Sequence, residues 1–195
     1  MNAGTQTSEW TSKRLLEWTS DYLARAGVEQ PRLCAEILLG HVLNRKRIEL
    51  YTNFDYCPTP QELATFRDLV KRCGKHEPVS YLTGKAYFYS LEFAVGPGCL
   101  SPRPETETLA AQAIAFCTHD VHRPTVAVLD LCTGSGCVAA AIAANVVEAE
   151  VAAADISPAA LEYARRNIEI LDLAGRVKVI ESDLFAGVEA SGKAI

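Results

Sequence analysis

The 195-residue chain contains no apolar run long enough to cross a membrane, so these residues hold no helical membrane span. No two of its seven cysteines, at positions 34, 57, 73, 99, 117, 132 and 137, are spaced C-x-x-C, and no zinc or other metal site is expected. There is no basic excess either: 19 Lys and Arg stand against 24 Asp and Glu, a net charge of -5. That balance argues against a broad phosphate-binding surface, and no direct contact with nucleic acid is expected; a local basic patch on a partner-binding face remains compatible with it. Residues 1–10 lack the basic and apolar regions of a secretory signal, so a cytoplasmic location is expected. Unexported and odd in number, the cysteines are expected as reduced thiols, most of them small packing residues. Internal repeats and low-complexity tracts are absent.

What is present is an ordinary globular composition, 49% hydrophobic and 22% charged, in a chain long enough for two domains. Up to Gly74 the spacing is helical. Leu15, Trp18, Tyr22 and Ala26 mark one helix, with Gly27 as its stop. Pro31 opens a second, carrying Cys34, Leu38 and Val42 on one face. In the third, Thr59 and Glu62 form a capping box around Pro60, the buried stripe is Leu63, Phe66, Val70 and Cys73, and Gly74 ends it. Tyr87, Tyr89, Leu91, Phe93 and Val95 then alternate as in a strand pair, closed by Pro97 and Gly98. This reading divides the chain into a helical domain (1–76), a hairpin linker (77–100) and an α/β region (101–195).

Beyond Pro104 a helix over about residues 105–117 opens with Glu105 and Glu107, favourable at the positive end of the helix dipole. The apolar run 126–131 reads as a parallel strand buried on both faces. A glycine loop and an alanine-rich helix follow. A second strand ends in Asp155, Ser157 and Pro158 start another helix with Gly175 as its stop, and a third strand runs from Val177 to Ile180, ending near Asp183. Strands alternating with helices predict a doubly wound parallel sheet.

The segment Asp130-Leu131-Cys132-Thr133-Gly134-Ser135-Gly136 lies between a strand and a helix, at the carboxyl end of the sheet's first strand. Open α/β sheets bind ligands there, and glycines allow a ligand close to the backbone. Asp155, at the end of the second strand, can accept both hydroxyl protons of a ribose; Asp183, after the third, can reach an adenine amino group. Gly134, Gly136 and Ala139 also satisfy G-x-G-x-x-G/A with an acid about 20 residues on, so the pattern alone permits a NAD-dependent dehydrogenase. Two features lean away from it. Asp130 is placed to hold the amino-acid end of a sulfonium cofactor, and Asp183 offers an adenine contact that pyrophosphate recognition does not need.

Three segments together resemble the release-factor glutamine methyltransferases, the HemK/PrmC family of class I S-adenosylmethionine-dependent methyltransferases. They are Pro78-Val79-Ser80-Tyr81-Leu82-Thr83-Gly84 with the aromatic hairpin after it; Ser101-Pro102-Arg103-Pro104-Glu105-Thr106-Glu107; and the glycine loop taken with Asp155-Ile156-Ser157-Pro158 and Ser182-Asp183-Leu184-Phe185. The glycine loop marks only the broad class, whereas the second segment joined to the hairpin is specific to the family. The resemblance covers roughly residues 10–190. It implies a small N-terminal helical domain, a β-hairpin linker and the first half of a Rossmann-like methyltransferase sheet. The activity implied is N5-methylation of the glutamine in the Gly-Gly-Gln motif of peptide chain release factors, with S-adenosylmethionine as cofactor and the helical domain helping to dock the release factor.

Carried over residue by residue, Cys132, Thr133, Gly134, Ser135 and Gly136 cradle the methionine portion, Asp155 holds the ribose, Asp183 and Leu184 flank the adenine, and Arg103 with its neighbours walls the pocket. Cys132 stands where the general pattern has glycine. The family's catalytic Asn-Pro-Pro-Tyr follows a fourth strand and is absent from these 195 residues, Ile195 falling where that strand should begin. The implication is an inactive fragment of a longer enzyme, without assigned catalytic residues, whose first strand keeps one apolar edge unpaired.

The remaining features read as structural. His41, His76, His119 and His122 lack ligand spacing and are expected as surface or capping residues. Arg45-Lys46-Arg47 is expected as a solvated run, Trp10 and Trp18 as core residues, and Cys137 as a packing residue, since no base lies beside it. Two alternatives to the enzyme reading stay open: a non-catalytic module that binds cofactor or partner, and a nucleic-acid methyltransferase of the same fold.

Overall fold

The computed structural model describes residues 10–119 and 124–190. His122 and the position of an expected fourth strand at Ile195 lie outside the described residues, as do residues 1–9. The chain forms two compact units that meet in sequence between Thr83 and Gly84.

The first unit is helical: α1 (Ser12–Arg25), α2 (Pro31–Leu43), α3 (Arg47–Thr52), α4 (Pro60–Cys73) and α5 (Val79–Thr83). The start of α4 forms the expected capping box. Glu62 N–H donates to Thr59 Oγ1 at 3.3 Å, and the Glu62 carboxylate accepts from Thr59 N–H at 2.7 Å. Such a cap contributes about 1 kcal/mol. Gly74 follows its last turn, and Phe66, Val70 and Cys73 are buried as expected. They meet Leu16, Leu23, Leu38, Leu39 and Leu50, each fully buried, in one core.

Two expectations fail in this unit. Trp10 and Trp18 are 36% and 48% exposed, not core residues. The stripe that α1 buries is Leu15, Leu16, Thr19 and Leu23, one position round the helix, and Trp18 lies outside it with its ring stacked on Tyr22. Nor is the basic run merely solvated. Arg47 donates twice to Glu36, and the Arg45 guanidinium sits 4.1 Å over the Tyr56 ring.

The second unit opens with an antiparallel hairpin, β1 (Lys85–Phe88) and β2 (Leu91–Ala94), pairing Lys85 with Ala94 and Phe88 with Leu91. Its two-residue turn, Tyr89 and Ser90, has φ values of 51° and 65°, the positive region a tight hairpin requires. Glu107 relieves part of that strain by accepting the Tyr89 N–H at 2.8 Å. In β1 the phase differs from the expected alternation: Ala86 and Phe88 are buried and Tyr87 is 71% exposed. The chain beyond β2 runs tightly against a later helix. A Cβ on Gly96 would crowd the Tyr163 hydroxyl, so any other residue there would require that ring to shift.

Then come α6 (Thr106–His119), β3 (Val126–Leu131), α7 (Cys137–Asn145), β4 (Ala149–Asp155), α8 (Pro158–Ile170), β5 (Val177–Glu181) and α9 (Ala186–Ala190). The three strands are parallel in the order β3-β4-β5. This is the alternating half of an α/β sheet, with β3 at an edge among the described residues. Contrary to expectation β3 is not buried on both faces: of its residues only Val126 is buried, and Ala127 is exposed along an open groove across the sheet. The helix α8 is capped by Ser157, as expected, but it stops at Ile170, where Asp172 turns left-handed (φ 56°), five residues before Gly175. No helix among the described residues is long and apolar enough to cross a membrane.

Candidate cofactor site

The parallel register brings three strand ends to one edge. Asp130 lies in β3 opposite Ala153, Asp155 closes β4 opposite Glu181, and Asp183 follows β5 by two residues. The loop after β3 is tied down at each step. Thr133 N–H donates to Ala154 O at 3.0 Å and Gly136 N–H to Thr133 O at 2.9 Å. Cys132, Gly134 and Gly136 have φ values of 58°, 57° and 78°, so three of five consecutive residues are left-handed. At Gly134 a Cβ would meet nothing within 4 Å: the glycine faces open space into which a ligand can come against bare backbone. Cys132, a non-glycine residue in the same region, is exposed and carries a modest strain cost.

The acids divide their work. Asp130 Oδ2 accepts from Thr133 Oγ1 at 2.6 Å and from Ala139 N–H at 3.1 Å, pinning the loop to the first turn of α7. Its Oδ1 makes no hydrogen bond among the described residues. Burial pushes the Asp130 carboxyl above its ordinary value, the two hydrogen bonds oppose that, and the Asp155 charge adds to the rise. Asp155 Oδ2 accepts from Gly134 N–H and Oδ1 from Ser157 N–H, both at 2.9 Å. The carboxylate is thus oriented by the loop on one side and the α8 cap on the other, with a lone pair left on each oxygen. Asp183 is exposed, and its carbonyl accepts from Ala186 N–H. Leu184 is 57% exposed at φ 49° beside it, its carbonyl accepting from Ser182 Oγ at 2.6 Å.

Two residues of this site gave no sequence signal. Cys99, which follows the hairpin, is 2% exposed, its thiol pushed up to about 11 by burial and by the nearness of Cys137 and Asp155. Asn167, in α8, is fully buried and donates to Ser135 O at 2.9 Å. A local signal existed for neither, because both meet the loop only through the tertiary fold. Cys137 is buried and its thiol is pushed up to about 11, chiefly by burial, as befits a packing residue. His41, His76 and His119 are exposed, and no group of metal-ligating side chains occurs among the described residues. Arg103 is exposed and makes no side-chain hydrogen bond among the described residues. A separate open groove of about 620 Å³ crosses the sheet past Ala127, Ala152 and Ile180, but it includes neither the loop nor Asp130, Asp155 or Asp183.

The donor set fits a sulfonium nucleoside. Gly134 leaves open backbone, and two oriented carboxylates flank the loop with a third beyond it. The Gly134, Gly136 and Ala139 amides, at the G-x-G-x-x-A positions, are already bonded within the protein.

Residues 14–84 match the PrmC N-terminal domain, and residues 112–195 match the methyltransferase small domain. The chain is 48% identical over 181 residues to the release factor glutamine methyltransferase of Rhodopirellula baltica, covering 92% of this chain and 61% of that protein. It is 42% identical over 176 residues to the protein of the same name from Geobacter sulfurreducens, covering 90% and 60%. Among solved structures, the N-terminal domain of human METTL16 in complex with SAH aligns at 15% identity and a TM-score of 0.42, over 84% of this chain and 55% of that one. The chain spans about three-fifths of the length of the curated relatives it matches. In both of its units the chain is similar to the release factor glutamine methyltransferases.

Proposed function

We propose that this chain supplies the cofactor cleft and the helical partner-docking domain of an S-adenosylmethionine-dependent methyltransferase that modifies the glutamine of the Gly-Gly-Gln motif in peptide chain release factors. The observation that carries the reading is the bond from Gly134 N–H to Asp155 Oδ2, 2.9 Å, which joins the open glycine loop to a carboxylate on the neighbouring strand. A cleft so tied presents bare backbone and a fixed ribose acceptor side by side.

The cofactor, when bound, supplies an electrophilic methyl group. The chain's residues bind and orient it. Asp155 accepts the ribose hydroxyl protons with the lone pairs left on its two oxygens. Asp130, through Oδ1, faces the α-amino end, and its carboxylate is held rigidly by Thr133 and Ala139. The Ser135 hydroxyl is buried beneath the loop, beside the Cys99 and Cys137 thiols. Asp183 and Leu184 border the base. With the cofactor fixed, transfer depends on bringing the acceptor amide into line with the methyl group, a matter of proximity and orientation.

We assign the helical unit, residues 1–76 with the segment that follows, to release-factor docking, and the whole activity to a chain that also carries the family's Asn-Pro-Pro-Tyr. The test is methylation of a release factor by the 195-residue chain against a version extended to the length of its relatives, with S-adenosylmethionine carrying a labelled methyl group. Label on the Gly-Gly-Gln glutamine in the extended protein supports the assignment. Label transferred instead to nucleic acid would refute it.

A further inference from the structure

Asn167 is buried in α8 with no catalytic or ligand role assigned to it, and its carboxamide is almost fully used. Its Oδ1 accepts from Ala94 N–H at 2.7 Å, while Nδ2 donates to Ala94 O at 3.0 Å and to Ser135 O at 2.9 Å. The first two bonds treat the last residue of the hairpin as a neighbouring strand would. The third reaches the glycine loop. One side chain therefore joins two segments 41 positions apart in sequence, Ala94 and Ser135, neither of which bonds the other directly. Both amide hydrogens point at carbonyls and the oxygen at an N–H, so the assignment of O and N is fixed by the partners.

From this geometry we infer that Asn167 is a positioning residue for the cofactor loop, coupling the β-hairpin to the glycine loop; the inference rests on the cofactor reading above. Fixing the Ser135 carbonyl fixes the peptide that leads into Gly136 and the first turn of α7. The segment leaving the hairpin at Ala94 leads to Cys99, whose thiol lies close enough to Asp155 and Cys137 to feel both. The hairpin is thus a supporting wall of the cleft. Its register is passed to the loop through Asn167, in the way a supporting shell holds a binding constellation.

Two substitutions separate positioning from plain structure. Asn167→Leu deletes all three hydrogen bonds at similar volume. Asn167→Asp keeps the acceptor for Ala94 N–H and places a carboxylate against the two carbonyls. Ile168→Ala, at the next and equally buried position of α8, is the control for lost stability.

With calorimetric titration of S-adenosylhomocysteine well below every melting temperature, the Asn167 variants are expected to bind about tenfold more weakly, and the control within about twofold of wild type despite a comparable loss of Tm. In the wild-type chain, coupling also requires the ligand to slow hydrogen exchange at the Ala94 N–H. Unchanged affinity in folded Asn167 variants overturns the positioning role and leaves the cofactor reading intact. Unslowed exchange at Ala94 overturns it too, even should both variants fail to fold. No binding by the wild-type chain overturns the cofactor reading itself, and the inference with it.

Discussion

Replacing Glu36 by Gln should unfasten one corner of the helical unit. The Glu36 side chain is 2% exposed and accepts from Arg32 Nε at 2.8 Å, from two nitrogens of Arg47 at 3.0 and 2.6 Å, and from the Tyr51 hydroxyl. Burial alone would raise its carboxyl, but the bonds from Tyr51, Arg47 and Arg32 outweigh that and hold it below the ordinary glutamate value. Breaking a fully buried ion pair costs about 3–5 kcal/mol. Here the Arg32 and Arg47 side chains are 40% and 57% exposed and can turn to water, so the loss should fall near 2 kcal/mol.

The two tryptophans, Trp10 and Trp18, both lie in the helical unit, so their fluorescence follows that unit alone. With a urea slope of about 1 kcal/mol per molar for a unit this small, the midpoint should drop by about 2 M. Because the folded carboxyl is lowered, its stabilisation is present above the unfolded pKa and is lost as pH falls through the folded value. The gap between wild type and variant should therefore close below about pH 4. A midpoint unmoved at pH 7, or a gap that persists in acid, would show that the ionised Glu36 does not hold this corner together.

Asp130→Asn should stabilise the second unit at neutral pH while weakening cofactor binding. Its carboxyl is raised by burial, so ionisation is a cost to the folded state that is relieved as pH falls through the folded pKa; the variant's relative gain in denaturant midpoint should shrink from about pH 7 to about pH 4. A gain independent of pH would contradict this. Cys34, lowered by the Cys73 thiol beside it, should alkylate at lower pH than an ordinary thiol in mapped mass spectra, while Cys99 and Cys137 stay unmodified until the chain unfolds. Thr59→Ala should cost about 1 kcal/mol by removing the cap of α4, read by the same tryptophan signal.

The parts of the fold that were legible in sequence are those whose causes are local. Thr59, Pro60 and Glu62 specify a helix start among themselves, and the strand-loop-helix run from Val126 through Gly136 needs no distant partner to be read. Asp155 was legible because a parallel strand ends where the loop requires a neighbour. What escaped depends on phase or on distance. Trp18 keeps helical spacing with Leu15, but the α1 stripe centres on Leu16 and Leu23, and a one-position error exposes a tryptophan. Tyr87 and Phe88 exchange faces for the same reason, since one residue of slip in a strand reverses every side chain. Arg47 reads as one charge in a run until α2 brings Glu36 to it. Asn167 reads as a polar residue in a helix until the hairpin and the loop close on it.

The proposed function requires the loop from Cys132 to Gly136, with Asp155, to bind a sulfonium nucleoside. Calorimetric titration of this chain with S-adenosylhomocysteine, beside Asp155→Ala, tests it most directly. Binding by the wild-type chain, weakened at least about tenfold in the variant, is the expected result. A folded chain that binds NAD but not S-adenosylhomocysteine, or a variant that binds as tightly as wild type, would contradict it.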